Sequence, residues 1–220
     1  MRLVIFDVDG TLVDSQDVIV EAQRRTFVAH DLPVPDRKTA LSVVGLSLHE
    51  AFVALAGPDA PIESLAEQYK QAFNDQRADP ARAAPFFPGA REVVARYGAR
   101  GDLMLGVATG KSRRGVAHLF ERAGWGPLFA TVQTADDHPS KPAPDMILAA
   151  LAETGVTQDD AVMIGDTSFD MAMARAAGVR AIGVDWGYHA TADLMDAGAE
   201  RVISNFMELD ALMAQARTRR

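Results

Sequence analysis

From about residue 85 onward the chain alternates short apolar runs with stretches of helical spacing, and few folds accommodate that alternation. The runs Leu103–Ala108, Phe129–Thr134, Ala161–Ile164 and Val179–Val184, with a short Arg201–Ile203, are of strand length. Between them Val116, Leu119, Phe120 and Ala123 recur at helical spacing, and Met171–Ala177 is rich in the helix formers Met and Ala. Strand and helix in turn predict a parallel, doubly wound α/β sheet joined by right-handed crossovers. One more strand candidate, Leu3–Phe6, stands alone at the other end of the chain.

The segment between that first run and residue 85 breaks the alternation. It contains no convincing strand. Leu65, Tyr69, Ala72 and Phe73 follow an i, i+4, i+7, i+8 pattern, and Val18, Ile19, Ala22 and Phe27 follow one more loosely. Prolines punctuate it at Pro33/Pro35 and Pro58/Pro61, and Arg77–Pro88 reads as a linker. Residues 1–14 and 85–220 are therefore expected to form one α/β core domain, with residues 15–84 a small helical domain inserted after the first strand.

At 220 residues and 48% hydrophobic content the chain can bury a substantial core. A net charge of −8 argues against nucleic acid or an acidic membrane as partner. The absence of Cys excludes a thiol nucleophile, a disulfide framework and a cysteine zinc site. Leu3–Phe6 is too short for a signal segment, and no apolar stretch approaches the roughly 20 residues that span a bilayer. The expectation is a soluble cytoplasmic protein, monomer or homodimer, acting on a small molecule.

The chemistry gathers where strands end. Asp7-Val8-Asp9-Gly10-Thr11 follows the first run directly, and ligands of open α/β sheets bind outside the carboxyl ends of strands. Asp7 and Asp9, two apart, project to one face of an extended chain. The second run ends at Thr109-Gly110-Lys111-Ser112, and the fourth at Gly165-Asp166-Thr167-Ser168-Phe169-Asp170. Lys141-Pro142-Ala143-Pro144-Asp145 opens a helical stretch between them. Any one of these sets has a bland alternative: a polar turn, a helix N-terminal acid, a solvated lysine.

All four, in this order, resemble the haloacid dehalogenase-like superfamily and its phosphatases in particular, over essentially the whole chain. The resemblance implies a Rossmann-like core, and for residues 15–84 a helical cap over the strand ends. It makes Asp7 the nucleophile that forms an aspartyl-phosphate, and Asp9 the acid that protonates the leaving oxygen and then activates water. Thr109, Gly110 and Lys141 would bind the phosphate. Asp7 and Asp166 are hard oxygen donors suited to Mg²⁺. Asp9 would add its backbone carbonyl, and Asp170, one helical turn beyond Asp166, would orient the site from in or near the metal shell.

Other polar residues carry less weight. The five His form no metal-ligand spacing, though His138 and His189 are candidates for the rim. Lys111 is expected to face water, Trp125, Trp186 and the Met residues to lie in the core, and Arg217–Arg220 to form a solvated tail.

Asp9 argues against dehalogenase and phosphonatase chemistry, whose family members replace that acid. β-Phosphoglucomutase-like members carry a His in the first cap helix and an Arg in the cap loop, where this chain holds Ile19 and Leu48. Receiver domains of signalling proteins share an acid, Thr and Lys set but place the phosphoacceptor on a middle strand. The expectation is a Mg²⁺-dependent phosphomonoester hydrolase, with 2-phosphoglycolate the first substrate to try. Arg37, Lys38, Lys70 and Arg82 are the cap cations available to contact a substrate.

Overall fold

The computed structural model describes residues 1–77 and 82–215. Among these residues six strands form one parallel sheet: β1 Arg2–Phe6, β2 Leu103–Thr109, β3 Phe129–Thr134, β4 Ala161–Gly165, β5 Arg180–Val184 and β6 Arg201–Ile203. Their spatial order is β3-β2-β1-β4-β5-β6. Each expected strand is present to within a residue at either end. The near-continuous apolar runs follow from burial on both faces, as a sheet covered by helices on each side requires.

Alternate residues of the strands feed two cores. On one face Val4, Phe6, Leu105 and Ile164 meet α5 (Ala90–Gly98), α6 (Arg113–Ala123) and α10 (Glu208–Gln215) through Val94, Tyr97, Leu119 and Leu212. On the other, Leu3, Ile5 and Met163 meet α7 (Asp145–Thr154), α8 (Ser168–Ala176) and α9 (Thr191–Ala197) through Ile147, Met171 and Leu194. The chain runs outward from β1 through β2 to β3, then returns to place β4 on the other side of β1. Helices on either side of that reversal diverge and leave a crevice at the carboxyl ends of the strands, which are here the ends of β1 and β4.

Among the described residues, four α-helices intervene between β1 and α5: α1 Gln16–Ala29, α2 Arg37–Leu41, α3 Leu48–Ala56 and α4 Ile62–Arg77. They hold an apolar cluster of their own, with Phe27, Phe52, Ile62 and Leu65 buried together. Phe27 and Phe52 have ring centroids 6.1 Å apart, and Phe52 meets Tyr69 edge-on at 5.9 Å. Asp36 and Ser47 cap α2 and α3 by accepting from the amides of Thr39 and Glu50. The chain leaves and rejoins the core side by side: the Asp14 amide donates to Pro85 O at 2.9 Å, and that of Phe87 to Leu12 O at 3.1 Å. Val13, between these bonds, bridges to Asp9 on one side and Phe86 on the other.

Trp125 is buried as expected, and Trp186 is half-buried with its indole N–H on Thr11 O. The Met residues divide: Met146, Met163, Met171, Met173 and Met213 are buried, Met104 is half-buried, and Met1, Met195 and Met207 are exposed, the last by 77%. Met207 lies in the turn between β6 and α10, and its side chain faces outward. Arg217–Arg220 lie outside the described residues. No helix among the described residues is long and apolar enough to cross a membrane.

Candidate active site

Asp7 directly follows β1, its amide donating to Ile164 O at 2.9 Å, and the residue is 1% exposed. Lys141 reaches it from the loop before α7. The Nζ of Lys141 lies 2.6 Å from Asp7 Oδ1 and 2.6 Å from Asp170 Oδ1, with all three side chains buried. Asp170 is fully engaged on its other oxygen, which accepts from the Thr167 amide at 3.0 Å and the Thr167 hydroxyl at 2.7 Å in the capping box of α8. Its carboxylate thus anchors both the ammonium and the first turn of the helix.

Asp166 is held differently. Thr11 Oγ1 donates to one of its oxygens at 2.9 Å and the Tyr188 amide to the other at 3.0 Å. Two glycines let backbone crowd this side chain: a Cβ on Gly10 would lie 2.1 Å from a carboxylate oxygen of Asp166, and one on Gly187 2.1 Å from its Cβ and 2.5 Å from that oxygen. Oxygens of Asp7, Asp166 and Asp170 come within 4.8 Å of one another.

Three buried carboxylates against one ammonium leave two negative charges uncompensated. Burial, opposed by Lys141 and reinforced by Asp170, pushes Asp7 up to about 6. Burial, then Asp7 and Asp170, raises Asp166 well above the usual carboxylate range. Burial works against the Lys141 ammonium, but Asp170 and Asp7 outweigh it and hold its pKa above the ordinary lysine value. A hard cation would relieve this excess, and an all-oxygen donor set suits Mg²⁺. Asp166 and Asp7 fit that group best: Asp166 accepts only from neutral donors and Asp7 is held through one oxygen, whereas Asp170 spends one oxygen on the Lys141 ammonium and the other on Thr167.

Asp9 faces a cavity of about 300 Å³ between the strand ends and the inserted helices. One of its oxygens accepts from Ser15 Oγ at 2.6 Å, and both receive Lys111 Nζ at 2.9 and 3.0 Å. Ser15 stands at the N-terminus of α1, and its hydroxyl also lies 3.2 Å from the Tyr188 hydroxyl. Lys111 does not face water: its ammonium packs 4.9 Å from the Phe73 ring and pairs with Asp9, because the insert covers it. Thr109 ends β2, buried, with its hydroxyl accepting from the Lys111 amide at 3.2 Å. Gly110 touches the insert: a Cβ there would lie 2.6 Å from the carbonyl oxygens of Gly45 and Leu46.

The sequence-expected residues Asp7, Asp166, Asp170 and Lys141 form one buried cluster, and Asp9, Thr109 and Gly110 line the adjoining cavity with Asp7. Ile19 and Leu48 also line it, as does Lys70. Of the other insert cations, Arg37 pairs with Asp17 at 2.7 Å, and Lys38 and Arg82 are exposed. His189 sits at the junction: its Nδ1 accepts from the Ser168 amide at 3.1 Å, its ring meets Phe169 edge-on, and Nε2 lies 3.3 Å from Ser42 O in the insert. His138 instead bonds Gln133 Oε1 at 2.8 Å and lines a second cleft of about 590 Å³. The sequence reading missed Thr11, Ser15, Gln23 and Tyr188. Ser15, at a helix N-terminus directly after the Asp-x-Asp strand end, carried a signal; the others did not.

Known proteins agree with this architecture. Residues 4–184 match the family described as haloacid dehalogenase-like hydrolase. A probable phosphatase, IndB, of Dickeya dadantii is 37% identical over 212 residues, covering 94% of this chain and 91% of its own. A phosphoglycolate phosphatase of Rhodospirillum rubrum is 32% identical, covering 94% and 89%. A haloacid dehalogenase-like hydrolase structure from Streptococcus pneumoniae superimposes with a TM-score of 0.83 at 26% identity, covering 96% of this chain and 98% of that one. The chain belongs to the haloacid dehalogenase-like hydrolases. Within that family it is a phosphoric monoester hydrolase.

Proposed function

We propose that the protein hydrolyses small phosphomonoesters in two displacements, with Asp7 as nucleophile and Asp9 as general acid and then base. The observation that carries this reading is the contrast between the two carboxylates. Asp7 is locked in the buried cluster on Lys141 at 2.6 Å, whereas Asp9 meets the cavity with mobile-proton partners, a hydroxyl and an ammonium. A nucleophile needs fixed orientation, and a group that passes a proton both ways needs access to the leaving oxygen and to water.

Asp7 attacks phosphorus as the ester bond breaks, and the leaving oxygen takes its proton from Asp9. Asp9 then withdraws a proton from water, which attacks the aspartyl-phosphate and releases phosphate. Lys141 and the Thr109 hydroxyl stabilise the phosphoryl oxygens, with the Gly110 backbone close by. Asp7, Asp166 and the Asp9 carbonyl would hold Mg²⁺, with Asp170 supporting from behind. Bound there, Mg²⁺ supplies charge neutralisation between the nucleophile and the phosphate.

The four inserted helices act as the cap, excluding water and contacting the leaving group. Apolar Ile19 and Leu48 in the cavity wall favour hydrolysis over mutase chemistry, which must grip a sugar phosphate twice. A receiver-type signalling role is disfavoured by strand order, since those domains run 2-1-3-4-5. Relatives named for phosphoglycolate make 2-phosphoglycolate the first substrate to assay, although the mainly apolar insert side of the cavity does not favour its carboxylate. The test is covalent capture: Asp9→Asn incubated with Mg²⁺ and an activated aryl phosphate should carry a phosphate adduct on Asp7 by mass spectrometry. Steady turnover with no adduct at Asp7 would break the two-step reading.

A further inference from the structure

The insert's side of the cavity is mainly apolar, with Ile19, Val43, Leu48, Phe52, Tyr69 and Phe73 among its walls, while the polar Asn74 is half-buried and Lys70 exposed. The cations near it are spoken for or lie at the edge. Lys111 is paired with Asp9, Arg114 is exposed, and Lys70 is 56% exposed with Glu67 3.8 Å away. A leaving group with a carboxylate or a second phosphate would have to shed its water against hydrocarbon here, at a cost no buried cation repays.

One buried polar group interrupts this wall. Gln23, on α1, is 5% exposed and lines the cavity. Its Nε2 donates to Ala40 O at 3.1 Å, which fixes which way the amide faces. That leaves Oε1 as a buried acceptor with no hydrogen-bond partner among the described residues. Buried acceptors are satisfied in the great majority of cases, and one left orphaned in the wall of a binding cavity marks a place where a ligand donor completes the pairing.

We infer that the cavity selects phosphomonoesters whose leaving group is uncharged and mainly apolar, flat or cyclic enough to lie against Phe52, Tyr69 and Phe73, and carries an N–H or O–H for Gln23 Oε1. This rests on the phosphatase reading and deepens it by naming the substrate class. The volume agrees: a two-carbon acid would leave most of about 300 Å³ unfilled, whereas a substituted aromatic or cyclic group fills it.

The test is a matched set of benzyl, phenethyl and phenylpropyl phosphates, each with a para methyl, hydroxymethyl or carboxylate group. Phosphate release gives kcat/KM, with p-nitrophenyl phosphate as control. At one chain length the hydroxymethyl ester should exceed its methyl analogue by about tenfold or more, with the carboxylate lowest. Gln23→Met should erase the gap between hydroxymethyl and methyl. Hydrolysis of the control without any hydroxymethyl preference in the wild-type enzyme, a preference that survives in Gln23→Met, or a carboxylate that ranks first overturns the inference and leaves the phosphatase reading standing. No phosphate release even from the control would instead defeat the phosphatase reading itself.

Discussion

The two walls of the cavity are built by opposite means. The core wall is a polar network in which Asp7, Asp166 and Asp170 are each pinned by named donors at 2.6–3.0 Å, and backbone at Gly10 and Gly187 closes on Asp166. The insert wall is held by packing, through the Phe27–Phe52–Tyr69 rings and the apolar faces of α1 and α4, and meets the core where Gly45 and Leu46 lie against Gly110. A network of directional bonds fixes atoms for one reaction. A packed surface tolerates exchange of one side chain for another of like volume, so it can change what it admits without touching the chemistry.

The largest expected effect lies on the core wall. Asp7→Asn is nearly isosteric but cannot attack phosphorus, so kcat should fall by about 10⁴-fold, near 5.5 kcal/mol of barrier, for every substrate alike. Activity within tenfold of wild type, with the fold intact by circular dichroism, would remove Asp7 from the mechanism.

Removing metal comes next. EDTA should abolish turnover and Mg²⁺ restore it, while Ca²⁺ should inhibit because it prefers more ligands at longer range. The raised pKa values give a second readout. Asp7 and Asp166 bind their protons more tightly folded than unfolded, so in metal-free protein their contribution to stability is present at pH values below the ordinary carboxylate range. It is lost as pH rises through about 6 for Asp7. The increase in Tm on adding Mg²⁺ should therefore be larger at pH 7.5 than at pH 5.5, reaching about 5–10 °C when Mg²⁺ is 100-fold above its Kd. An increase independent of pH would show that the cluster is not where Mg²⁺ binds.

Two smaller effects probe the junction between the walls. Gly110→Ala places a methyl 2.6 Å from two backbone carbonyls of the insert, so one wall must move. An increase in KM of about tenfold, with a smaller change in kcat, is expected if the insert yields. Equal loss in both would mean that the core yields instead. Ser15→Ala removes one donor from Asp9 while Lys111 remains, and should lower kcat by only a few-fold, about 1 kcal/mol, with its basic and acidic pH limits displaced. An unchanged pH profile would show that Ser15 serves only the start of α1.

This contrast also explains what the sequence disclosed. All six strands and the residues Asp7, Asp166, Asp170 and Lys141 were legible, because polar groups that end buried strands violate the local pattern and stand out against it. The pairing of Lys111 with Asp9 was not, since it exists only because α4 brings Phe73 over the ammonium, a contact 38 residues distant in the chain. Gln23 was equally hidden: one polar residue among many on a helix, its role set by which face α1 turns to the cavity. Tyr69 and Phe73 read as a helix's core stripe, and helix they form, but both line the cavity as well.

The paired segments through which the chain leaves and rejoins the core have a consequence for how such an enzyme can diversify. Leu12–Asp14 and Pro85–Phe87 run side by side, so both ends of the insert are anchored about 5 Å apart, on a segment joined to Asp9 through Val13. Any excursion that returns to its starting point satisfies that boundary, whatever its length, and the entropy of closing it grows only slowly with size. A foreign helical segment spliced between these two points should leave Asp9 in register, so exchange of residues 15–84 offers a route by which a lineage, or an engineer, acquires new substrates while inheriting the reaction intact.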